Sequence, residues 1–186
     1  MSVMSGMLTE NERATALAEL EVSSQRFKAV VAAVPEDRWN LSTSPDIWAP
    51  AGVAEHIIVT DSVVARLLNS VLPASEPREL TDDHRRLDDL ILSRVPDRSP
   101  GRPRIQAPEF VQPKGRFATR EAALEAFWKG RGRLVEFVRT CEAPLRLQTA
   151  PHPVFGMIDG YQWILFTAAH TQRHCAQLEE AWQVSE

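Results

Sequence analysis

The stretch that decides the fold is GYQWILFTAAHTQRHCAQLEEAWQV, residues 160–184. It predicts a long final helix with His170 and His174 four residues apart on an apolar stripe. Asp159, three residues before Gln162, predicts the cap at its start. Four residues turn a helix by about 400°, which leaves the two imidazoles about 40° apart and about 6 Å along the axis. Both side chains can therefore reach one ion.

The same pattern predicts three other long amphipathic helices, over residues 8–34, 51–72 and 119–141. Thr9 stands three residues before Glu12, a capping-box pattern that marks the start of the first. Gly130 and Gly132 weaken the third and predict that another helix approaches it closely. Four amphipathic helices hide their apolar stripes most simply in a bundle. The predicted fold is therefore an all-α four-helix bundle, a single domain over residues 1–186.

Residues 73–118, between the second and third long helices, have a different character. They hold seven of the chain's thirteen prolines around one short helical segment, residues 79–95. This composition cannot build its own core, so it predicts a long connection that carries one helix. Connections of this length usually have a role, such as covering a site. Residues 144–159 are predicted to be a second, proline-interrupted link.

Composition argues against several classes of protein. A net charge of −4 with scattered arginines gives no reason to expect a nucleic acid partner. No apolar run approaches the roughly 20 residues of a membrane span. The only cysteines are Cys141 and Cys175, and the N-terminus does not resemble a secretory signal, so we expect reduced thiols and a cytoplasmic location. Phosphate-binding loops, dinucleotide-binding turns, nucleophile elbows and CxxC pairs do not occur in the sequence.

The histidine pair predicts a metal site only if a third ligand joins it. His56, in AEHIIVTDSVV of the second helix, has small or apolar neighbours on its face and is the best candidate. One histidine from one helix and an i, i+4 pair from another would give three nitrogens and an open position. Thr171 stands where zinc proteases place their glutamate, which excludes that class. The competing interpretation is that these histidines are ordinary packed residues.

Five other residues near these motifs have less specific predicted roles. His84 lies among charges and is predicted to face solvent, and His152 either lies at the mouth of a site or is structural or exposed. Glu55 is predicted to point away from His56, as a surface or supporting group. Gln177 could orient a ligand or water. Cys175 is predicted to be a packed thiol.

Two segments of the chain resemble the DinB-like superfamily of metal-binding four-helix bundles. The segments are SPDIWAPAGVAEHIIVTDSVVARLL, residues 44–68, and HPVFGMIDGYQWILFTAAHTQRHCAQLEE, residues 152–180. The positions that carry the resemblance are Trp48, Val53, Glu55 and His56 in the first segment, and His170, His174 and Gln177 in the second. Residues 73–118 are the least typical part.

The resemblance implies an up-down-down-up bundle in which His56, His170 and His174 hold a divalent metal, commonly zinc or nickel. Relatives include metal-dependent hydrolases and transferases that use small cytosolic thiols. The implied partner is a small-molecule substrate, with a low-molecular-weight thiol among the candidates. Dimers are frequent in the superfamily, so a homodimer is also implied.

These expectations lead to one main hypothesis and two rivals. Three neutral imidazoles would leave a metal's charge available to acidify bound water or a bound thiol. The main hypothesis is therefore a metal-dependent enzyme, either a hydrolase or a thiol transferase. The first rival is a metal-binding or stress-related module without turnover. The second is a purely structural or association bundle whose histidines are satisfied by hydrogen bonds.

Overall fold

The computed structural model describes residues 6–45, 47–79, 83–101 and 105–183, without the side chains of residues 83–85 and 183. The predicted role of the His84 side chain therefore lies outside the described part of the structure. The helices are α1 Glu10–Ala33, α2 Pro50–Arg66, α3 Asp83–Arg94, α4 Arg120–Thr140 and α5 Gly160–Gln183. The strands are β1 Thr149–His152 and β2 Gly156–Asp159. A π-helical turn, Leu67–Val71, and a 3₁₀ turn, Leu72–Ala74, continue the path of α2.

The helix ends follow from local chemistry. The Thr9 hydroxyl accepts from the Glu12 N–H, and the Glu12 carboxylate accepts from the Thr9 N–H, which confirms the capping box. Pro50 occupies the first turn of α2, where its missing N–H has no intrahelical partner to lose. Asp159 and Gln162 exchange hydrogen bonds at the start of α5, as predicted. The sequence therefore located these helix starts correctly.

Side-chain contacts show that α1 and α4 are antiparallel. Arg13, near the start of α1, donates to the carbonyls of Val138 and Cys141 at the end of α4. At the opposite end, Arg120 at the start of α4 donates to the Val34 carbonyl just after α1. Each helix start therefore lies beside the other helix end.

The last helix completes the bundle. Arg26, in the second half of α1, donates to Gln172 and Glu179 in the second half of α5, so these helices are parallel. His56, near the start of α2, lies against His174, late in α5, so that pair is antiparallel. The four long helices, α1, α2, α4 and α5, thus run up, down, down and up. Both α1 and α2 pack against α4 and α5.

The link predicted at residues 144–159 contains two short strands, which the sequence analysis did not predict. Thr149–His152 and Gly156–Asp159 pair as an antiparallel β-hairpin. Gly156 has a φ of +70°, which favours glycine at the tight turn. Pro151 is tolerated because a two-stranded sheet has only edge strands. Strands of four residues interrupted by prolines are too short to show a two-residue period, so the sequence did not reveal them.

The predicted close approach at Gly130 and Gly132 is also wrong. A Cβ built at either glycine meets no heavy atom within 4 Å. These glycines therefore do not serve a helix contact in the described structure. Their physical role in α4 is unexplained.

The connection predicted for residues 73–118 is held to the bundle by apolar packing, through the buried Ile91, and by charge. It carries α3, which packs against α5. Arg146 is buried and pairs with Glu12 of α1, Asp88 of α3 and Asp159 at the end of the hairpin. One guanidinium therefore joins α1, the connection and the hairpin at one end of the bundle.

By length and composition alone, the continuous helical stretch Pro50–Ala74 is apolar enough to cross a membrane. The same stretch carries the buried residues Glu55, His56 and Asp61 into the bundle core. A core helix that is apolar on most sides has this composition as well.

A buried arginine, which the sequence interpretation missed, joins all four long helices. Arg131 of α4 is 1% exposed, and its Nε and Nη2 lie 3.1 and 2.7 Å from Oδ2 of Asp61 in α2. Nη2 also donates to the Thr171 hydroxyl of α5 at 2.8 Å, and Nη1 donates to the Ser23 hydroxyl of α1 at 2.9 Å. The bonds to Asp61 are charge-assisted, and charge-assisted bonds are roughly twice as strong as neutral ones.

Replacing Arg131 with methionine should destabilise the fold by about 3–5 kcal/mol, because Asp61 would remain buried without its partner. Urea unfolding followed by circular dichroism measures the change. Arg133→Met, at an exposed position of the same helix, is the control and should shift stability by no more than about 0.5 kcal/mol. Equal stabilities for the two variants would contradict the role given to Arg131.

Candidate metal centre

The structure brings His56 of α2 together with His170 and His174 of α5. Their ring centroids are 5.0 Å apart for His56 and His170, 4.6 Å for His56 and His174, and 4.3 Å for His170 and His174. One ring nitrogen from each residue lies within 4.8 Å of the other two. The antiparallel packing of α2 on α5 thus places the early histidine beside the late pair.

The spacing of these nitrogens fits a divalent ion. Zinc–nitrogen bonds of 2.0–2.1 Å in tetrahedral geometry place two ligand nitrogens about 3.3–3.4 Å apart. The Nε2 atoms of His56 and His170 are 3.2 Å apart. The chemistry of the donors also fits, since imidazole is a common ligand of zinc and nickel.

The orientation of His56 is fixed from the connection between α2 and α4. Its Nδ1 lies 2.8 Å from the carbonyl oxygen of Val111, in a 3₁₀ turn spanning Glu109–Val111. A carbonyl only accepts, so Nδ1 carries the proton and Nε2 keeps its lone pair. The connection therefore lies against the histidine cluster and selects the tautomer of one of its members.

His174 is fixed in the same way from within its own helix. Its Nδ1 lies 2.7 Å from the amide oxygen Oε1 of Gln177. Gln177 therefore orients His174, and the Nε2 lone pair of His174 remains free. Nδ1 of His170 is buried and has no hydrogen-bond partner among the described residues.

These tautomers set the electrostatics of the cluster. His56 and His174 each direct an Nε2 lone pair toward the shared space, and His170 can donate a proton to only one of them. Hydrogen bonding among the rings therefore leaves at least one lone pair without a donor in the cluster. A buried acceptor left without a donor costs about 1–3 kcal/mol. A cation among the three nitrogens would remove that cost.

All three imidazoles are kept neutral. Burial lowers the pKa of His56, and it lowers the pKa of His170 well below its usual range. Burial, with the repulsion of His56 next in importance, lowers the pKa of His174 to about 3. Neutral imidazole is the form that binds metals. The cluster is therefore in its ligand form at neutral pH.

Aromatic side chains flank the cluster. The Trp48 ring centroid lies 5.1 Å from that of His56, and the Phe166 centroid lies 5.1 Å from that of His170. Trp163 contacts Phe166 but lies nearer the start of α5. Of these two aromatic residues of α5, Phe166 contacts His170 directly.

His152 is buried behind Phe166, at 4.5 Å between ring centroids. Its Nδ1 accepts from the backbone N–H groups of Val154 and Phe155 and so stabilises the hairpin turn. Burial lowers its pKa to about 4. The structural alternative predicted for His152 matches these contacts, whereas exposure does not.

Two further predictions are resolved by burial. Glu55 is not a surface group, because it is 1% exposed and its carboxylate accepts from the N–H groups of Lys114 and Arg116. Cys175 is fully buried, and burial raises the pKa of its thiol to about 12, as expected for a packed thiol. Cys141 and Cys175 are both free.

The sequence interpretation missed the Val111 carbonyl, which supports His56. A backbone oxygen leaves no signature in residue type, and any residue can supply one. The only available signal was the length of the connection, which indicated a covering role without naming a contact.

Comparisons with known proteins identify the family. The DinB superfamily matches residues 19–178 of the chain. Among solved structures, the chain is similar to one described as TT2238, a four-helix bundle protein, with a TM-score of 0.56 and 24% sequence identity. That similarity covers 90% of this chain and 98% of the other, and at this identity it shows the fold alone. No curated protein matches the chain. The chain belongs to the DinB superfamily.

Proposed function

We propose that this chain is a divalent-metal enzyme that transfers a small thiol to an electrophilic substrate. His56, His170 and His174 hold the ion, which is zinc or nickel. The observation that carries the proposal is the convergence of three neutral imidazoles at one point, with Nδ1 of His56 and Nδ1 of His174 each turned toward an acceptor. Three protein ligands leave a position for a further group, the arrangement typical of catalytic zinc sites.

The donor set favours a thiol over water as the activated group. When bound, the ion lowers the pKa of a coordinated water or thiol. A free thiol has a pKa of about 8.5 and water has one of 15.7, so the ion must lower the pKa of a thiol much less than that of water for it to ionise near neutral pH. Among the described residues, the cluster of ligating groups contains no carboxylate, and Glu55 is engaged by two backbone amides. A thiol can lose its proton without a neighbouring base.

The flanking aromatics give the site its apolar character. Trp48 and Phe166 lie against His56 and His170 and exclude water from one side of each ring. Apolar walls of this kind suit the carbon skeleton of a small organic substrate. A pool of small thiols requires a reducing compartment, and two free cysteines are consistent with a cytoplasmic enzyme.

Protein purified without a histidine tag should contain about one zinc or nickel ion per chain by elemental analysis. His170→Ala should keep its helicity and lose the ion, with an affinity at least about 100-fold lower, because a ligand matters more than the groups that support it. His84→Ala removes a histidine that is not among the three proposed ligands and should retain the ion. A folded wild-type chain that takes up neither metal would contradict the metal proposal.

The zinc-loaded protein should accelerate the reaction of cysteine with a chromogenic electrophile, and His56→Ala should reduce that rate to the uncatalysed level. Hydrolysis of p-nitrophenyl acetate without added thiol would instead favour a hydrolase. Stoichiometric metal with neither activity would favour a metal-binding module without turnover. A folded chain with neither metal nor activity would favour a purely structural bundle.

A further inference from the structure

A buried carboxylate lies beside the metal centre but does not face it. Glu55 is 1% exposed, and its two oxygens accept from the backbone N–H groups of Lys114 and Arg116, each at 2.9 Å. The Arg116 guanidinium adds a looser ion pair at 3.4 Å, with its side chain half exposed. Burying a carboxylate is costly unless it is paired and hydrogen-bonded. Here the two amides provide most of that compensation.

The geometry of the backbone allows both amides to reach one carboxylate. Gly115 stands between Lys114 and Arg116 with a φ of +75°, in the left-handed region that favours glycine. Successive N–H groups around such a residue can form a concave anion site. Glu55 occupies this concavity as an internal anion.

The same segment holds His56. We call residues 109–116 the strap. Its Val111 carbonyl accepts from Nδ1 of His56 at 2.8 Å, three residues before the amide of Lys114. Glu55 and His56 are neighbours on α2, so adjacent residues of one helix hold the strap at two points.

Apart from these bonds, the strap is anchored by Val111 and by Pro113, whose ring lies beside Gly52 of α2. Val111 is the one buried side chain within residues 105–116, and Phe110 beside it is 63% exposed. Gln112 bonds within the connection, to the carbonyl of Ala107. Just beyond the strap, Trp39 and Asn40 donate to the carbonyls of Phe117 and Ala118. Between those contacts and Val111, the bonds at Lys114 and Arg116 hold the backbone against α2, so the position of the Val111 carbonyl depends on them.

We infer that Glu55 is a positioning residue for the metal centre. By holding the amides of Lys114 and Arg116, it keeps the Val111 carbonyl against Nδ1 of His56. The carbonyl in turn keeps the proton on Nδ1 and the Nε2 lone pair directed at the ion. Without that acceptor, the ring could rotate or take the tautomer in which Nε2 is protonated and cannot bind. This inference rests on the proposed metal function.

The test compares zinc affinity in three variants by competition with a chelator. Glu55→Gln keeps the size of the side chain but presents an NH₂ group to one of the two amides, so it should bind zinc about 10- to 100-fold more weakly, as for other supporting groups. Arg116→Gln is the matched control. It removes only the exposed ion pair and should stay within about twofold of wild type, because exposed pairs contribute little.

Gly115→Ala disturbs the strap without touching Glu55, because alanine is strained at a positive φ. It should weaken zinc binding in the same direction as Glu55→Gln. If Glu55→Gln fails to fold, Gly115→Ala decides the question. Wild-type zinc affinity in Gly115→Ala would then overturn the inference.

Hydrogen exchange gives a readout that does not depend on activity. In the metal-free protein, the amides of Lys114 and Arg116 should exchange faster in Glu55→Gln than in wild type. In the wild-type protein, zinc should slow exchange across residues 111–116, because coupling between two sites is reciprocal. A general loss of stability would instead change exchange throughout α2 and α5.

The outcomes separate this inference from the proposed function. A wild-type chain that binds neither zinc nor nickel overturns both. A wild-type chain that binds zinc, together with a folded Glu55→Gln of equal affinity, overturns only the role of Glu55. Strap amides that do not respond to zinc overturn it as well.

Discussion

The guanidinium of Arg131 is the constraint on which the arrangement of the bundle depends. It is buried in the bundle interior and donates to a side chain on each of the other three long helices: Asp61, Thr171 and Ser23. Apolar packing alone allows one helix to slide along another. Directional hydrogen bonds from one planar guanidinium to three helices prevent such sliding. Asp61 lies five residues after His56, and Thr171 directly follows His170. The ion pair that fixes the helices therefore lies next to the histidine cluster.

That rigidity explains how a small protein can hold three imidazoles together. The lone pairs of His56 and His174 are turned toward one point by acceptors on their far sides. Such an arrangement is unfavourable without a cation and is stable only because the surrounding helices hold it. Burial lowers the pKa of each of the three histidines and so keeps each ring neutral. The neutral ring is the form that binds a metal. Under the proposed function, the fold prepares the site before an ion binds.

The sequence predicted the parts that side-chain identity and period determine. The four long helices and the capping box at Thr9 follow from spacing and residue type. Spacing also predicted the His170 and His174 pair and made His56 a candidate, but only the resemblance to the DinB-like superfamily implied that His56 joins that pair. The hairpin was not predicted, because its strands are too short to show a period. The hydrogen bond from His56 to the Val111 carbonyl and the hydrogen bonds from two backbone amides to Glu55 were not predictable, because backbone groups are the same at every position. Arg131 was overlooked because a charged residue is normally exposed, and its burial becomes favourable only when three other helices supply partners.

X-ray absorption at the zinc edge of the protein loaded with one equivalent of zinc tests the central claim most directly. The account predicts three imidazole nitrogens at about 2.0–2.1 Å together with one exchangeable ligand that the protein does not supply. The His170→Ala protein should lose that imidazole signature. A zinc environment made mainly of water or carboxylate oxygens, unchanged in His170→Ala, would contradict the account.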